Sequence, residues 1–106
     1  MSIDDWRRKI DELDQELVKL LNERARCALE IGREKHRMGL PVYQPERESE
    51  ILSNVERVNA GPLADTAIRR LFERIIDEAR ALERAAQHED SGAKGVGHGK
   101  DAKPNS

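Results

Sequence analysis

The sequence predicts an all-α protein with one long, one short and one medium helix in each chain. Apolar residues recur at steps of three and four over most of the chain, which is the spacing of one face of an α-helix. Charged residues make up 38% of the 106 residues and aromatic residues only 3%, a composition typical of long helices. Glycine and proline cluster at two places that would separate three helical segments.

The first helix is predicted over residues 3–38. Ser2, followed three residues later by Asp5, is a suitable start, because acidic groups favour the positive end of a helix. Gly39 and Pro41 end the apolar pattern. Such a helix is ~54 Å long, whereas a compact domain of this size has a radius of gyration of about 13 Å. Because two shorter helices cannot cover so long a stripe, we expect an intertwined homodimer.

The second helix is predicted over residues 45–58, since Pro45 suits a first helical turn, where its missing N–H costs nothing. Its expected inward residues are Ile51, Leu52, Val55 and Val58. A turn containing Gly61 and Pro62 leads to a third helix over 63–86. The expected inward residues of that helix are Ile68, Leu71, Phe72, Ile75, Ile76, Ala79, Leu82 and Ala86. Residues 1–86 thus form the helical domain, and 87–106 are predicted to be a disordered, polar and Gly-rich tail.

The charge balance argues against several classes of function. Lys and Arg number 19 against 21 Asp and Glu, so we expect no nucleic-acid binding. No segment is apolar enough for a membrane span or a signal peptide, and a cytoplasmic location is expected. Cys27 is expected to be buried and to pack as an apolar side chain. The three histidines lack metal-ligand spacing and no phosphate-binding glycine loop is recognisable, so neither a metal nor a cofactor is expected.

Charged residues on the apolar faces are the most informative feature. Arg24 and Lys35 continue the stripe of the first helix, and Glu83 continues that of the third. Arg47 and Glu48 lie one turn before inward positions of the second helix. On periodicity alone, an internal ion-pair network is the simpler interpretation. The alternative is a site in the bundle core for an anionic ligand that carries more than one carboxylate.

Several motifs in order resemble the helical (AroQ-class) chorismate mutases, including the mutase domain of bifunctional proteins that also carry prephenate dehydratase. The matching segments are WRRKIDELD from Trp6, LLNER from Leu20, IGREK from Ile31, PVYQPERE from Pro41 and LFERIIDEA from Leu71. The resemblance covers about residues 3–86. It implies a three-helix chain in an intertwined dimer with two sites, which rearranges chorismate to prephenate without a cofactor.

The resemblance also implies roles for individual cations and one carboxylate. Arg24 would bind a substrate carboxylate, and Arg7 would do so in the site of the partner subunit. Lys35 would hydrogen-bond the ether oxygen and a carboxylate. Glu48 would hold the ring hydroxyl, and Arg47 would support the anionic end of the substrate.

Three positions vary within the family and affect how these roles carry over. Gln44 falls where some members have Asp, so it would reach the hydroxyl region without charge. Ala79 falls where some have Ser, which would remove one carboxylate contact. Glu83 falls where the family has Gln or Glu, and it would have to be protonated to donate a hydrogen bond to the ether oxygen.

Two other functions fit parts of the pattern. An isochorismate pyruvate-lyase of the same fold would share much of the cationic site. A non-catalytic helical dimerisation module would explain the apolar stripe but not the inward charges. No dehydratase or synthase domain is recognisable in the sequence, so feedback inhibition within this chain alone is not expected, and association with another aromatic-pathway enzyme is left open.

Overall fold

The computed structural model describes residues 1–91, with side chains described as far as residue 88. Within them the chain forms three helices and no strand: α1 (Ile3–Met38), α2 (Pro45–Val58) and α3 (Asp65–Ser91). The all-α prediction and the bounds of the first two helices are confirmed. Residues 92–106, most of the predicted tail, lie outside the described part of the chain, and their disorder stays a prediction.

Local hydrogen bonds explain both ends of α1. The Ser2 hydroxyl accepts from the backbone N–H of Asp5 at 3.1 Å, and the Asp5 carboxylate accepts from the backbone N–H of Ser2 at 2.9 Å. This reciprocal capping box lowers the pKa of the Asp5 carboxyl, chiefly through the backbone hydrogen bond. At the other end Gly39 has φ +70°, a left-handed conformation that favours glycine, and the N–H of Leu40 donates to the carbonyl of Lys35.

Both ends of α3 differ from the predicted range of 63–86. The side-chain amide of Asn59 donates to the carbonyl of Leu63 and to the carboxylate of Asp65, at 2.8 and 2.7 Å. These bonds hold residues 59–65 in a turn, so α3 begins two residues later than predicted. It continues to Ser91 because no Gly or Pro occurs before position 92 and because Gln87 donates to the carbonyl of Gly32 in α1 at 3.2 Å.

The third helix packs on both others, whereas α1 and α2 do not pack on each other. Only the second half of α1 takes part, and its buried residues are Ala28 and Gly32. A β-carbon at Gly32 would stand 3.0 Å from Cγ of Glu83, so glycine permits the close crossing of α1 and α3. The remaining buried apolar residues are Leu52, Ile76 and Ala86.

The first half of α1 extends beyond this small core. The chain has a long axis of 55 Å and a radius of gyration of 17.2 Å, well above the roughly 13 Å of a compact chain of this size. Large apolar side chains of the projecting half are about half exposed, among them Trp6, Ile10, Leu13 and Leu17. A single chain therefore leaves a long apolar stripe uncovered.

Two of the residues predicted to face inward are wrong for the single chain. Val58 is 69% exposed and Leu71 is 54% exposed. Both lie near the α2–α3 turn, where α1 does not cover them. No described helix has the length and apolarity that crossing a membrane requires.

Candidate active site

One cavity of about 230 Å³ lies where the second half of α1, the start of α2 and the second half of α3 converge. Seven of the eight residues predicted for the site line it: Arg24, Lys35, Gln44, Arg47, Glu48, Ala79 and Glu83. These positions are separated by up to 59 residues in sequence, between Arg24 and Glu83. The chain thus gathers charged groups from all three helices around one hollow.

Lys35 and Glu83 form an ion pair in the wall of this cavity. The Nζ of Lys35 lies 3.0 Å from Oε1 of Glu83, and the two side chains are only 16% and 11% exposed. Lys35 also donates to the carbonyl of Val42, again at 3.0 Å, which ties the end of α1 to the loop before α2. A lysine ammonium has three N–H donors, so one is left for a ligand. The second oxygen of Glu83 accepts no hydrogen bond from the described residues.

A second ion pair joins α2 to α3. Arg80 Nε lies 3.0 Å from Oε2 of Glu48, and its Nη2 lies 2.7 and 2.9 Å from the two oxygens. These hydrogen bonds raise the pKa of Arg80, so its guanidinium stays charged at any pH the fold experiences. The guanidinium carbon also lies 5.1 Å from the centre of the Tyr43 ring, a cation–π contact.

Arg80 lines the cavity but was not among the residues predicted from the sequence. The signal for it was present, since Arg80 follows Ile76 by four residues and precedes Glu83 by three. Arg80 therefore lies on the same face of α3 as Glu83.

Arg24 and Arg47 are differently placed. Arg24 is partly buried and makes no ion pair with any described side chain. Arg47 lies at the rim, is 62% exposed and pairs with Glu50 one turn further along α2, at 2.5 Å. Both guanidinium groups can therefore turn to a ligand, and neither is held by a carboxylate of the cavity.

The two neutral predicted residues form part of the wall. Gln44 is the N-cap residue of α2, but its side chain makes no capping hydrogen bond, so its amide is available to the cavity. Ala79 contributes only a methyl group there, so it offers no polar side-chain contact.

Arg7 is the one predicted site residue that the single chain does not bring to the cavity. It lies 17 positions before Arg24 on the same helix, roughly 25 Å along the axis. Its exposed guanidinium is 3.8 Å from Asp4. It projects from the half of α1 that lacks a covering layer.

The prediction of a buried Cys27 is wrong for the single chain. Its side chain is exposed and lines the cavity. Among residues 1–91, no cluster of three or more His, Cys, Asp and Glu side chains is placed to hold a metal ion.

The cavity contains internal ion pairs and also an excess of cations. It therefore has features of both an ion-pair network and a site for an anionic ligand. Four cations line it (Arg24, Lys35, Arg47 and Arg80) against two carboxylates (Glu48 and Glu83). Both carboxylates are already paired internally. The lining side chains thus carry two more positive than negative charges, which suits a ligand with two carboxylates.

Comparison with protein families gives a match to the model described as chorismate mutase type II, over residues 6–84. This range contains α2, most of α1 and of α3, and all the residues of the cavity. The chain belongs to the chorismate mutase type II family. The three-helix architecture, with charged residues directed into one hollow, is thus that of a family member.

Curated relatives agree with this family. The chain is 44% identical over 78 residues to a bifunctional chorismate mutase/prephenate dehydratase of Neisseria gonorrhoeae, which covers 74% of this chain and 21% of that protein. It thus spans about a fifth of the bifunctional relative. It is 32% identical over 79 residues to a chorismate mutase of Methanocaldococcus jannaschii, which covers 74% of this chain and 80% of the relative.

Solved structures of family members share the fold. Chorismate mutase (form II) of Thermus thermophilus has a TM-score of 0.76 and 40% identity, over 77% of this chain and 93% of that one. Chorismate mutase of Helicobacter pylori, determined in complex with prephenate, has a TM-score of 0.75 and 30% identity. That alignment covers 82% of this chain and 94% of the other.

Proposed function

We propose that this chain is a chorismate mutase, which rearranges chorismate to prephenate in the biosynthesis of phenylalanine and tyrosine without a cofactor. Support comes from membership of the chorismate mutase type II family and from a relative that binds prephenate. The expected location is the cytoplasm. The isochorismate pyruvate-lyase and the non-catalytic dimerisation module are the alternatives.

The excess of two positive charges in a cavity of about 230 Å³ is the observation that supports this activity best. Chorismate carries two carboxylates, so its charge matches that excess. A dimerisation module has no need of such a cavity. Arg24 is partly buried and has no carboxylate partner among the described side chains. Burying a cation without a counterion costs free energy, and a bound substrate carboxylate would recover part of that cost.

The reaction itself is a concerted rearrangement. One C–O bond breaks at the ether oxygen while one C–C bond forms between the enolpyruvyl arm and the ring, and no proton or electron is gained or lost. The protein must hold the arm over the ring and stabilise the negative charge that grows on the ether oxygen. Arg24 would hold a carboxylate in the required orientation.

Lys35 and Glu83 are suited to the second task. The third N–H of Lys35 can reach a ligand while its bonds to Glu83 and Val42 stay in place. If Glu83 is protonated, Oε1 can still accept from Lys35 and the other oxygen can donate to the ether oxygen. The two groups would then stabilise the same developing charge.

The functional unit would be an intertwined homodimer. The uncovered apolar stripe on the first half of α1 needs a partner, and a second copy of the same stripe is the simplest one. Such pairing would carry Arg7 of each chain towards the cavity of the other. Each site would then have a further cation for a substrate carboxylate.

A direct assay tests the activity. The purified chain is incubated with chorismate, and the loss of chorismate and the formation of prephenate are followed. We expect prephenate and no free pyruvate. Consumption of isochorismate with release of pyruvate would identify the lyase instead. A chain that neither turns over chorismate nor binds a transition-state analogue would be a dimerisation module.

A further inference from the structure

The contact between Arg80 and Glu48 limits which further hydrogen bonds the Glu48 carboxylate can form. The guanidinium uses its Nε and Nη2 on both carboxylate oxygens, at 2.7 to 3.0 Å. Both side chains are about four-fifths buried, at 23% and 22% exposure, so solvent competes weakly. The pair joins α2 to α3 at the wall of the cavity.

Counting acceptor sites shows the consequence. Each carboxylate oxygen has two lone pairs. Oε2 of Glu48 accepts from both Nε and Nη2, whereas Oε1 accepts from Nη2 alone. One acceptor site is therefore left, on Oε1. Because both oxygens of Glu48 already face N–H donors of Arg80, the position left on Oε1 is one that accepts a hydrogen bond.

The arginine itself is held on two further sides. Its guanidinium lies over the Tyr43 ring at 5.1 Å and lies 3.5 Å from the carboxylate of Asp77, one turn earlier on α3. A long arginine side chain loses rotational freedom when it is anchored in this way, so the orientation of Glu48 is set before a ligand arrives.

We propose that Arg80 is a positioning residue for substrate specificity, which holds Glu48 as an acceptor for a hydroxyl group on the substrate ring. This inference rests on the proposed function, since it assigns the hydroxyl of chorismate to Glu48. A ring substituent that donates a hydrogen bond is accepted, and one that cannot donate leaves a desolvated carboxylate oxygen without a partner.

The first test compares Arg80→Leu with Arg74→Leu. Arg74 is a matched control, because it lies on the outer face of α3, is 76% exposed and, among the described side chains, pairs with Glu78 alone. We expect kcat/KM for chorismate to fall about 10- to 100-fold in Arg80→Leu, the range for losing a hydrogen bond to a charged group. Arg74→Leu should stay within about twofold of wild type.

A double-mutant cycle tests whether Arg80 acts on the reaction through Glu48. If Arg80 acts through Glu48, Arg80→Leu should change kcat/KM by less than about twofold in a Glu48→Gln background. Additive losses in the double variant would overturn the inference, because they would mean that Arg80 acts independently of Glu48.

The substrate side gives a second, independent readout. Wild type should prefer chorismate to an analogue that lacks the ring hydroxyl by about 10-fold or more, and Arg80→Leu should lose most of that preference. Arg80→Lys keeps the charge but not the two-point contact, so its preference should fall between the two. This milder variant carries the test if Arg80→Leu does not fold.

The outcomes separate this inference from the proposed function. If wild type turns over no chorismate, the proposed function fails and the inference fails with it. If wild type is active but both Arg80 variants keep its activity and its preference for the hydroxyl, only the role of Arg80 is overturned.

Discussion

Gly32 of α1 and Glu83 of α3 meet where these two helices cross. A β-carbon at position 32 would stand 3.0 Å from Cγ and 3.1 Å from Cβ of Glu83. The same glutamate is held by Lys35, three residues beyond the glycine. The absence of a side chain at one position of α1 therefore sets the depth at which the carboxyl of Glu83 enters the cavity.

Replacing Gly32 with Ala should reduce both stability and activity. In an open helix this change gains up to about 1 kcal/mol of helix propensity. Here the added methyl meets a buried, ion-paired side chain and also lies 3.4 Å from its Cα, so overpacking of about 1 to 3 kcal/mol should outweigh that gain. Thermal unfolding and chorismate turnover measure the two effects. A variant with a raised Tm and wild-type turnover would contradict this account of the crossing.

Arg24→Ala should abolish most activity while leaving the fold intact. Arg24 makes no ion pair with a described side chain, so its loss should change the free energy of unfolding by less than about 0.5 kcal/mol. Turnover should fall on the order of 100-fold, since a charge-assisted carboxylate contact is lost. Arg26→Ala is the control, because Arg26 is exposed, two residues away and outside the cavity. Equal turnover in the two variants would remove Arg24 from the site.

The rate should fall as pH rises, because Glu83 must carry a proton to donate to the ether oxygen. In the proposed mechanism the protonated carboxyl is one of two donors to the ether oxygen, and a carboxylate in its place cannot donate. Glu83→Gln keeps the donor at every pH and should flatten this decline. Rate measurements across pH for both proteins make the comparison. Superimposable profiles would show that the proton on Glu83 plays no part.

The helix bounds show which features of this fold are determined by residues that are close in sequence. The end of α1 and the start of α2 depend on nearby residues in the sequence, namely Gly39, Pro41 and Pro45. The bounds of α1 and α2 were therefore predicted to the residue. The end of α3 was not, because it depends on a bond between Gln87 and the carbonyl of Gly32 in another helix. Periodicity cannot report a contact of that kind.

The cavity shows the same division. Spacing within α1 was enough to identify Arg24 and Lys35 as charged residues on an apolar face, and spacing within α3 identified Glu83. Arg80 has the same spacing on α3 and could have been selected in this way. Its contact with Glu48 could not be predicted from spacing, because that contact exists only once α2 and α3 are side by side. The exposure of Cys27 follows from the incomplete cover that one chain gives to α1.

The capping box of α1 should make the start of this helix sensitive to acid. Hydrogen bonds from Ser2 lower the pKa of Asp5 in the folded chain. A lowered pKa means that this stabilisation is present above the unfolded-state pKa and is lost as pH falls through the folded-state value, below about pH 4. Helicity near the start of α1, followed by amide exchange, should therefore drop there. Asp5→Asn should show a smaller acid-induced change; an identical change would exclude Asp5 as its cause.

Mixing two inactive variants tests whether Arg7 serves the site of the partner. In a dimer of Arg7→Ala chains both sites lack that cation, and in a dimer of Arg24→Ala chains both lack the other. A mixed dimer is different: the site that keeps its own Arg24 receives Arg7 from the partner and is intact, while the second site lacks both. Random re-association of equal amounts makes half of the dimers mixed, so about a quarter of wild-type activity should return. Separately refolded variants, combined only in the assay, are the control. If co-refolding restores no activity while both variants form dimers, Arg7 does not act across the interface, because a cation acting within its own subunit cannot be supplied by the other chain.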